Sequence, residues 1–318
     1  MANTLPANEV FAKQLMYEAN EALFFNKFIG APGTRSLIIR YDDLTKSAGD
    51  VIKIPIVKRL TGTGVTGNNT LEGNEEDITT STFPLTIDYI RHAVKFTKKD
   101  QQQTAYDLLT TGKNLLSNWA KSKIEKMLFD NMSTGNDIVL YGGDATTVDE
   151  IDSADTMTTA LISKAKAKIK ASRECYPVNV NGKDYYVMFV DPYQAYALKL
   201  DSAWQQAQRE ANVRGLENPI FSGALGIWDG VIIYESEYVQ SGTNANTTPT
   251  RYAKALLLGA EAVAYGYGQE FSFNVQKSDY DFVTGVGTDA CMNIAPVIFD
   301  SKQHGIIAVI TAAVDPNA

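Results

Sequence analysis

Hydrophobic and polar positions divide the chain into one long helix and β-type segments on both sides of it. From Asp100 to Met132, apolar residues recur at steps of three and four, and polar residues fill the other positions. This spacing predicts a continuous amphipathic helix, with Asp100 as its N-cap and Gly135 as the residue that ends it. Such a helix would be roughly 45–50 Å long, and we expect it to act as a spine between β-rich regions.

The patterns before the spine predict a two-stranded excursion from the body. Val51 to Leu60 alternates apolar and polar residues, and Pro55 restricts this strand to a sheet edge because proline cannot donate to a neighbouring strand. Thr82 to Thr97 is predicted as the single return strand. Because an isolated hairpin is marginally stable in water, we expect the excursion to lie on another surface.

The loop between these strands is rich in glycine and acidic residues. It opens with G-x-G-x-x-G spacing, which is typical of a dinucleotide site only where the last glycine opens a helix. Asparagines, another glycine and carboxylates follow instead, so a long mobile loop is predicted. We expect this loop to contact either lysines of a neighbouring subunit's spine or that subunit's basic patch at Lys164 to Arg173. The predicted interface residues are Gly62, Gly64, Gly67, Glu72, Glu75, Glu76, Lys113, Lys121 and Lys123.

A weak point is predicted inside the spine at Thr110-Thr111-Gly112. Glycine costs about 1 kcal/mol relative to alanine in a helix interior, and a sharp kink needs such a cause. One hypothesis is a hinge at Gly112 that adapts subunits to different curvature. The other is that Gly112 permits close packing against a neighbouring strand, and the pattern favours neither.

Two helical regions are predicted after the spine, among several strands. The first is Asp155 to Ser172, whose lysines are interpreted as a solvated face in preference to a patch for nucleic acid or an acidic partner. The second is capped at Asp191-Pro192 and restarts at Asp201, with Trp204 as its anchor. The chain is therefore assigned to the α+β class. Strands are predicted at 184–190, 231–239, 253–264, 272–275, 292–299 and 305–314.

Composition narrows the functional class. A chain of 318 residues is long enough for two or more subdomains. Its net charge of −8 disfavours a general nucleic-acid-binding protein. Two cysteines, no recognisable signal peptide and no long apolar run predict a protein without disulfides or membrane spans, made in a reducing cytosol.

No catalytic motif stands out in the sequence. His92 and His304 lie in strand-like segments without an evident partner, and Asp279 and Asp281 flank a tyrosine in a predicted turn. Neither a metal-ligand spacing nor a nucleophile elbow is present. We therefore expect no enzyme activity, no cofactor and no metal.

Several short motifs occur in order along the chain. They are Gly49-Asp50-x-Ile52-x-Ile54-Pro55, Gly62-x-Gly64-Val65-x-Gly67, Leu71-Glu72-Gly73-Asn74-Glu75-Glu76, Arg91-His92-Ala93-Val94, Val187-Met188-Phe189, Pro192, Trp204, Asn218-Pro219-Ile220-Phe221-x-Gly223-Ala224-Leu225-Gly226 and Asp229-Gly230-Val231. Taken together, they resemble the podovirus-type major capsid protein family of tailed bacteriophages, and the resemblance covers about residues 10–310.

This resemblance implies the tailed-phage major capsid fold. Its parts would be an N-terminal arm (1–35), an extended β-hairpin loop with its base (36–99), the spine helix (100–135), a peripheral β-domain (136–180 and 260–318) and an axial α/β domain (181–259). From the residues alone, the arm could equally be a surface helix or a segment that packs on a neighbour.

The resemblance also implies a function. Hexamers and pentamers of the chain would tile an icosahedral shell around double-stranded DNA, in a virion assembled from protein made in the host cytoplasm. Scaffolding, portal and decoration proteins would be candidate partners. The alternatives are a phage tail component, a surface-binding or carbohydrate-binding β-rich protein, and an unrecognised hydrolase with a compact pocket.

Overall fold

The computed structural model describes residues 24–42, 50–57, 60–104, 107–172, 175–180, 182–210, 224–246 and 248–315. The helices are α1 (Lys98–Gln103), α2 (Leu108–Ser133), α3 (Thr159–Ser172), α4 (Pro192–Leu200) and α5 (Ser202–Glu210), with 3₁₀ turns at Phe24–Phe28 and Val148–Glu150. The strands are β1 (Ile29–Gly30), β2 (Ile38–Tyr41), β3 (Val51–Val57), β4 (Thr80–Thr86), β5 (Asp88–Thr97), β6 (Val139–Tyr141), β7 (Val178–Val180), β8 (Lys183–Val190), β9 (Gly226–Trp228), β10 (Val231–Glu235), β11 (Ser241–Thr243), β12 (Arg251–Leu258), β13 (Val263–Ser278), β14 (Val283–Pro296) and β15 (Ile306–Ala312).

Two sheets and one separate hairpin contain these strands. A five-stranded sheet has the order β1-β2-β13-β14-β5, and an eight-stranded sheet runs β6-β15-β12-β8-β10-β9, with β7 on β8 and β11 on β12. The two-stranded hairpin is β3-β4. Helices and mixed sheets do not alternate regularly along the chain, which confirms the α+β class.

The spine is two helices and not the single predicted one. Thr97 caps α1, and Asp100 is its third residue, which bonds back to Thr97. The long helix α2 starts after a new N-cap, Asp107, whose carboxylate accepts hydrogen bonds from Leu109 N (3.0 Å) and Thr110 N (3.4 Å). Asp100 was therefore wrongly predicted as the N-cap, because hydrophobic spacing continues across a local break that a side-chain cap creates. Gly135, with φ +69°, follows the C-cap and ends the helix as predicted.

The spine joins the two sheets, as the sequence predicts. The largest buried cluster contains Ile124 and Phe129 of α2, Phe189 of the eight-stranded sheet and Tyr265 of the five-stranded one. A smaller cluster packs Leu116 against the β13-β14 pair. One helix thus supplies apolar side chains to both sheets, and each sheet buries one of its faces against it.

The predicted return strand is two strands with different partners. β4 pairs antiparallel with β3, whereas β5 pairs with β14 of the five-stranded sheet. Ile87 lies between them, and its N–H donates to the Asp50 carbonyl oxygen (2.9 Å). Alternation continues in phase through Ile87, so a period of two cannot reveal where a strand changes its partner.

The eight-stranded sheet crosses the predicted domain boundaries. β6 and β15 pair with each other, and β15 pairs with β12, so segments before 180 and after 260 complete the sheet that holds β8 and β10. Domains assigned by contiguous sequence do not follow this sheet, because such pairing is non-local. The names peripheral and axial stay a proposal for these parts.

Other element boundaries differ locally from the prediction. α3 begins at Thr159, since Asp155 is buried and accepts a hydrogen bond from Asp152 N (3.0 Å) instead of capping a helix. The predicted strand 253–264 is interrupted after Leu258 by a turn in which Glu261 has φ +59°. The predicted strand 272–275 is a piece of the longer β13, and the predicted strand 292–299 overlaps only the end of β14, which stops at Pro296.

The second helical region agrees with the prediction. Asp191 caps α4 in a reciprocal capping box with Gln194, and Pro192 occupies the first helical position. A new helix, α5, starts after Asp201, and its residue Trp204 is buried. The predicted arm before Phe24 and the motif 218–223 lie outside the described residues.

Candidate assembly surface

The root of the excursion, β3 and β4, is packed on its own subunit. Ile52, Ile54, Phe83 and Leu85 form a buried cluster with Ala264 and Cys291 of the five-stranded sheet. A side chain at Gly266 would place its Cβ 2.7 Å from Leu85 Cδ2, so a glycine is needed there for the hairpin to approach the sheet. The hairpin therefore lies on another surface, as expected, but at the root this surface belongs to the five-stranded sheet of its own subunit.

The loop beyond the root, residues 60–79, extends into solvent. Every residue in it is exposed except Val65, which is partly buried. Gly64, Gly67 and Gly73 have φ values of +68°, +71° and +82°, in the left-handed region where a side chain is unfavourable. The glycines are thus required by the turns of this loop and not by a bound phosphate.

Glu76 joins the two ends of the loop at its neck, which consists of Thr61, Gly62 and Glu76. Its carboxylate accepts hydrogen bonds from Thr61 N (2.8 Å), Gly62 N (2.6 Å) and the Thr61 hydroxyl (3.2 Å). These backbone donors stabilise the ionised form, which lowers the pKa of Glu76 below its usual value of 4.5. A Cβ at Gly62 would lie 2.7 Å from Glu76 Oε2, so glycine lets the carboxylate approach the chain.

The tip of the loop is held by further internal bonds. Glu75 accepts a hydrogen bond from Gly73 N (2.6 Å), and the Asn74 side chain donates to the Thr70 carbonyl (3.1 Å). The side chains of Glu75 and Glu76, predicted to face a neighbour's cations, are therefore bonded inside the loop. Glu72 remains exposed at the tip, beside the exposed side chain of Leu71.

The three predicted spine lysines lie along α2. Lys113 is partly buried, with Nζ 5.5 Å from the centroid of the Phe273 ring. Lys121 is partly exposed, and Lys123 is exposed. Their role as partners of another subunit's loop stays a prediction.

Gly112 lies inside a helix that is regular on both sides of it. A Cβ there would approach Val94 Cγ2 of β5 to 3.0 Å, which directly supports the close-packing interpretation. The hinge hypothesis stays a prediction about differences between subunits. Straight, identical helices in all non-equivalent subunits of a shell would exclude it.

An aromatic cluster that the sequence did not predict anchors the last part of the predicted arm (1–35) to the body of its own subunit. Phe24 and Phe28 pack around Phe189 and Tyr234. The Lys27 ammonium lies 4.2 Å from the Phe24 ring centroid and 4.0 Å from that of Tyr234, and burial lowers its pKa. The density of phenylalanine at positions 24, 25 and 28 was the available signal.

Glu125 of the spine completes this anchor. Its carboxylate accepts a hydrogen bond from Phe24 N (3.0 Å). Burial raises its pKa, and the nearby charge of Glu237 acts in the same direction. The backbone of Phe24 is therefore bonded to the second half of α2.

The α3 lysines do not form a uniform basic patch. Lys166 pairs with Asp229 at 2.6 Å, while Lys164, Lys168 and Lys170 are exposed. This arrangement is consistent with the solvated-face interpretation, because an exposed lysine face needs no partner to be stable.

A cavity of about 450 Å³ lies beside the hairpin root and bears on the hydrolase alternative. It contains Cys175 and His304. Burial raises the pKa of Cys175 to about 12, so the thiolate that a nucleophile needs is disfavoured. A His304 ring nitrogen is 3.0 Å from the Phe299 carbonyl oxygen, within hydrogen-bonding distance. The pair therefore does not resemble an activated nucleophile and base.

The second histidine and the two aspartates considered as catalytic candidates lie in structural positions. His92 stacks against Trp119 with ring centroids 4.7 Å apart, and Asp279 and Asp281 lie in the turn between β13 and β14. Among the described residues, no group of three His, Cys, Asp or Glu side chains is placed to hold a metal. None of the helices in the described segments has the length and apolar character for a membrane span.

The segments that match known proteins cover almost the whole chain. The family described as phage capsid protein matches residues 5–139 and 133–314. The major capsid protein of Pseudomonas phage KPP25 is 24% identical, over 96% of this chain and 94% of that protein.

Solved structures share the fold. The capsid of Ralstonia phage GP4 is 25% identical, with a TM-score of 0.81 over 93% of this chain and 92% of that one. The capsid asymmetric unit of cyanophage Pam1 is 24% identical, with a TM-score of 0.76 over 91% and 92%. The chain therefore has the tailed-phage major capsid fold, and it belongs to the phage capsid protein family.

Proposed function

We propose that this chain is a phage major capsid protein whose hexamers and pentamers close an icosahedral head around double-stranded DNA. The observation that carries the proposal is the match to phage capsid proteins, in sequence and in fold, along more than nine-tenths of the chain. The relatives named above are a major capsid protein and phage capsids.

The excursion is the proposed contact between subunits. Its root is fixed to the five-stranded sheet, and its loop projects away with nearly all of its surface exposed. A rigid root with an exposed loop is the arrangement expected of an element that reaches a second subunit. The proposed interface residues are the loop glycines with Glu72, Glu75 and Glu76, and the spine lysines of the neighbour.

Further partners follow from the same function. Scaffolding and portal proteins, decoration proteins and packaged DNA would contact the assembled shell, and the subunits would be synthesised in the host cytoplasm. The chain would act as a structural protein without catalysis or cofactor. Burial of the Cys175 thiol raises its pKa, so this group gives no support to the hydrolase alternative.

The direct test is to express the chain alone and with a scaffolding protein, and to examine the products by sedimentation and electron microscopy. Hexamers, sheets or closed shells are expected at micromolar concentration. A compact monomer that persists with scaffolding would contradict the proposal. Isolated tubes, or binding to a cell surface without shells, would favour a tail or surface-binding protein instead.

A further inference from the structure

The loop between β3 and β4 is crosslinked by its own hydrogen bonds, which differs from the mobile loop that the sequence predicts. Residues 60–79 make few apolar contacts, so hydrogen bonds inside the loop must determine its shape. The bonds at the tip link residues that are at most four positions apart, such as Asn74 and Thr70. Glu76 is different because its bonds reach Thr61 and Gly62, fifteen and fourteen positions away.

We propose that Glu76 is the positioning residue of this loop: its carboxylate closes the neck, so that the loop meets a second copy of the chain already shaped. This inference rests on the proposed function, since it concerns the same contact between subunits. It also gives Glu76 a different role from the intersubunit ion pair that the sequence suggested.

Three observations at the neck support the assignment. Both carboxylate oxygens are engaged, by Thr61 N at 2.8 Å and Gly62 N at 2.6 Å, which is the charge-assisted kind of hydrogen bond. Gly62 lacks the Cβ that would collide with Oε2. The last pair of the β3-β4 ladder is Val57 with Thr80, so Glu76 adds a crosslink beyond the point where strand pairing stops.

Once the neck is closed, only some side chains of the loop remain available to contact a partner. The carboxylates of Glu75 and Glu76 already bond to backbone N–H groups of the loop. Leu71 and Ile78, in contrast, are 61% and 75% exposed. A preformed loop would present these two apolar side chains, together with Glu72, to the second copy. Binding would then need less ordering of the loop, which favours association.

The test compares three forms of the full chain: wild type, Glu76→Gln and Glu76→Ala. Hydrogen exchange of the Thr61 and Gly62 amides in unassembled subunits reports the neck directly. We expect exchange about three- to tenfold faster in Glu76→Ala, as for the loss of one ordinary hydrogen bond at each amide. Glu76→Gln retains one acceptor oxygen and should lie between the two. Asp77→Asn, which removes the same charge one position away, is the matched control and should exchange at the neck like wild type.

Assembly followed by light scattering supplies the second measurement. The rate should decrease in the order wild type, Glu76→Gln, Glu76→Ala, with no change in the unfolding midpoint of the free subunit. Neck amides that exchange in wild type as fast as in Glu76→Ala would overturn the proposal, and so would equal assembly rates in all three forms. If wild type itself forms no shells, the proposed function fails, and the exchange data still decide whether Glu76 closes the neck.

Discussion

The root and the loop of the excursion belong to one continuous segment, yet different forces hold them in place. At the root, Leu85 is 1% exposed and lies against Gly266 of the five-stranded sheet. In the loop, Leu71 is 61% exposed, and carboxylates bound to backbone N–H groups determine the conformation. Apolar burial fixes the root to its own subunit, whereas local hydrogen bonds shape the loop without attaching it to anything.

This difference suggests that the root and the loop have separate roles in the subunit. Burial of apolar surface is non-directional and strong in sum, so it can hold the hairpin against the subunit before assembly. Hydrogen bonds are individually modest but directional, so they can define a loop that projects into solvent. Changes at the root should therefore affect the stability of the subunit, and changes in the loop should affect the assembly of shells.

Removing the loop should have the largest effect of all on assembly. A variant in which residues 61–76 are replaced by a tight turn should fold with the stability of wild type but fail to close shells. The loop contributes few buried contacts within the subunit, so its loss should not unfold the body. Circular dichroism and electron microscopy measure the two properties. Normal shells of equal stability from this variant would disprove the proposal that the loop is a contact between subunits.

A matched pair of leucine substitutions compares the two regions directly. Leu85→Ala should lower the free energy of unfolding by about 2–5 kcal/mol, because it leaves a cavity in a buried cluster. Leu71→Ala should change it by less than about 0.5 kcal/mol, as is usual for an exposed site. Denaturant titration of unassembled subunits measures both values. Equal losses at the two positions would show that the loop is packed as tightly as the root.

Two carboxylates should respond to pH in opposite directions. The pKa of Glu76 is lowered by backbone hydrogen bonds, so its contribution is present above the usual value of 4.5 and is lost as the pH falls through the lowered pKa. The pKa of Glu125 is raised by burial, so its ionised form opposes folding above that pKa, and stability is gained as the pH falls.

Glu125→Gln isolates the second effect. The substitution removes a half-buried charge but leaves an oxygen that can accept from Phe24 N. The variant should be slightly more stable than wild type near pH 8, and this advantage should shrink as wild-type Glu125 becomes protonated. Thermal unfolding across pH 4–8 measures the difference. A variant that is less stable than wild type at pH 8 would mean that the ionised carboxylate strengthens the anchor at Phe24.

The smallest effect is expected from the exposed charge at the loop tip. Glu72→Lys should leave the subunit unchanged and weaken each contact by about 0–1 kcal/mol, the usual range for a rim ion pair. The loss should be greater at low ionic strength, where screening is least. Light scattering at two salt concentrations tests this. An effect independent of salt would point to the apolar groups Leu71 and Ile78 as the main contacts.

The sequence predicted a helix best where that helix depends on a single apolar periodicity or on a single capping residue. The apolar stripe of α2, the cap at Asp191-Pro192 and the restart at Asp201 depend on residues close together in the chain. The class of protein was also accessible, because the order of many short motifs is specific even when each motif is weak. Spacing likewise predicted an acidic loop between the strands 51–60 and 82–97, with its tip at Gly62 to Glu76.

Only the tertiary structure shows which distant strands pair and which residue caps the long helix. The periodicity of β4 and β5 is continuous, and only their different partners, β3 and β14, separate them. The pattern cannot show that Asp107 would cap a second helix, since hydrophobic spacing does not stop there.

Glu76 illustrates the same limit in the candidate site. By composition it is one of several equivalent acids, and the sequence assigned it to a neighbour's lysine. Its position opposite Thr61 and Gly62 exists only once β3 and β4 pair and bring residues fifteen positions apart to within hydrogen-bonding distance. The sequence by itself determined the apolar stripe of α2, the cap at Asp191-Pro192 and the charges of this protein, because these depend on nearby residues. Only the tertiary structure decided which charge is bonded inside the loop, because that depends on the geometry of distant ones.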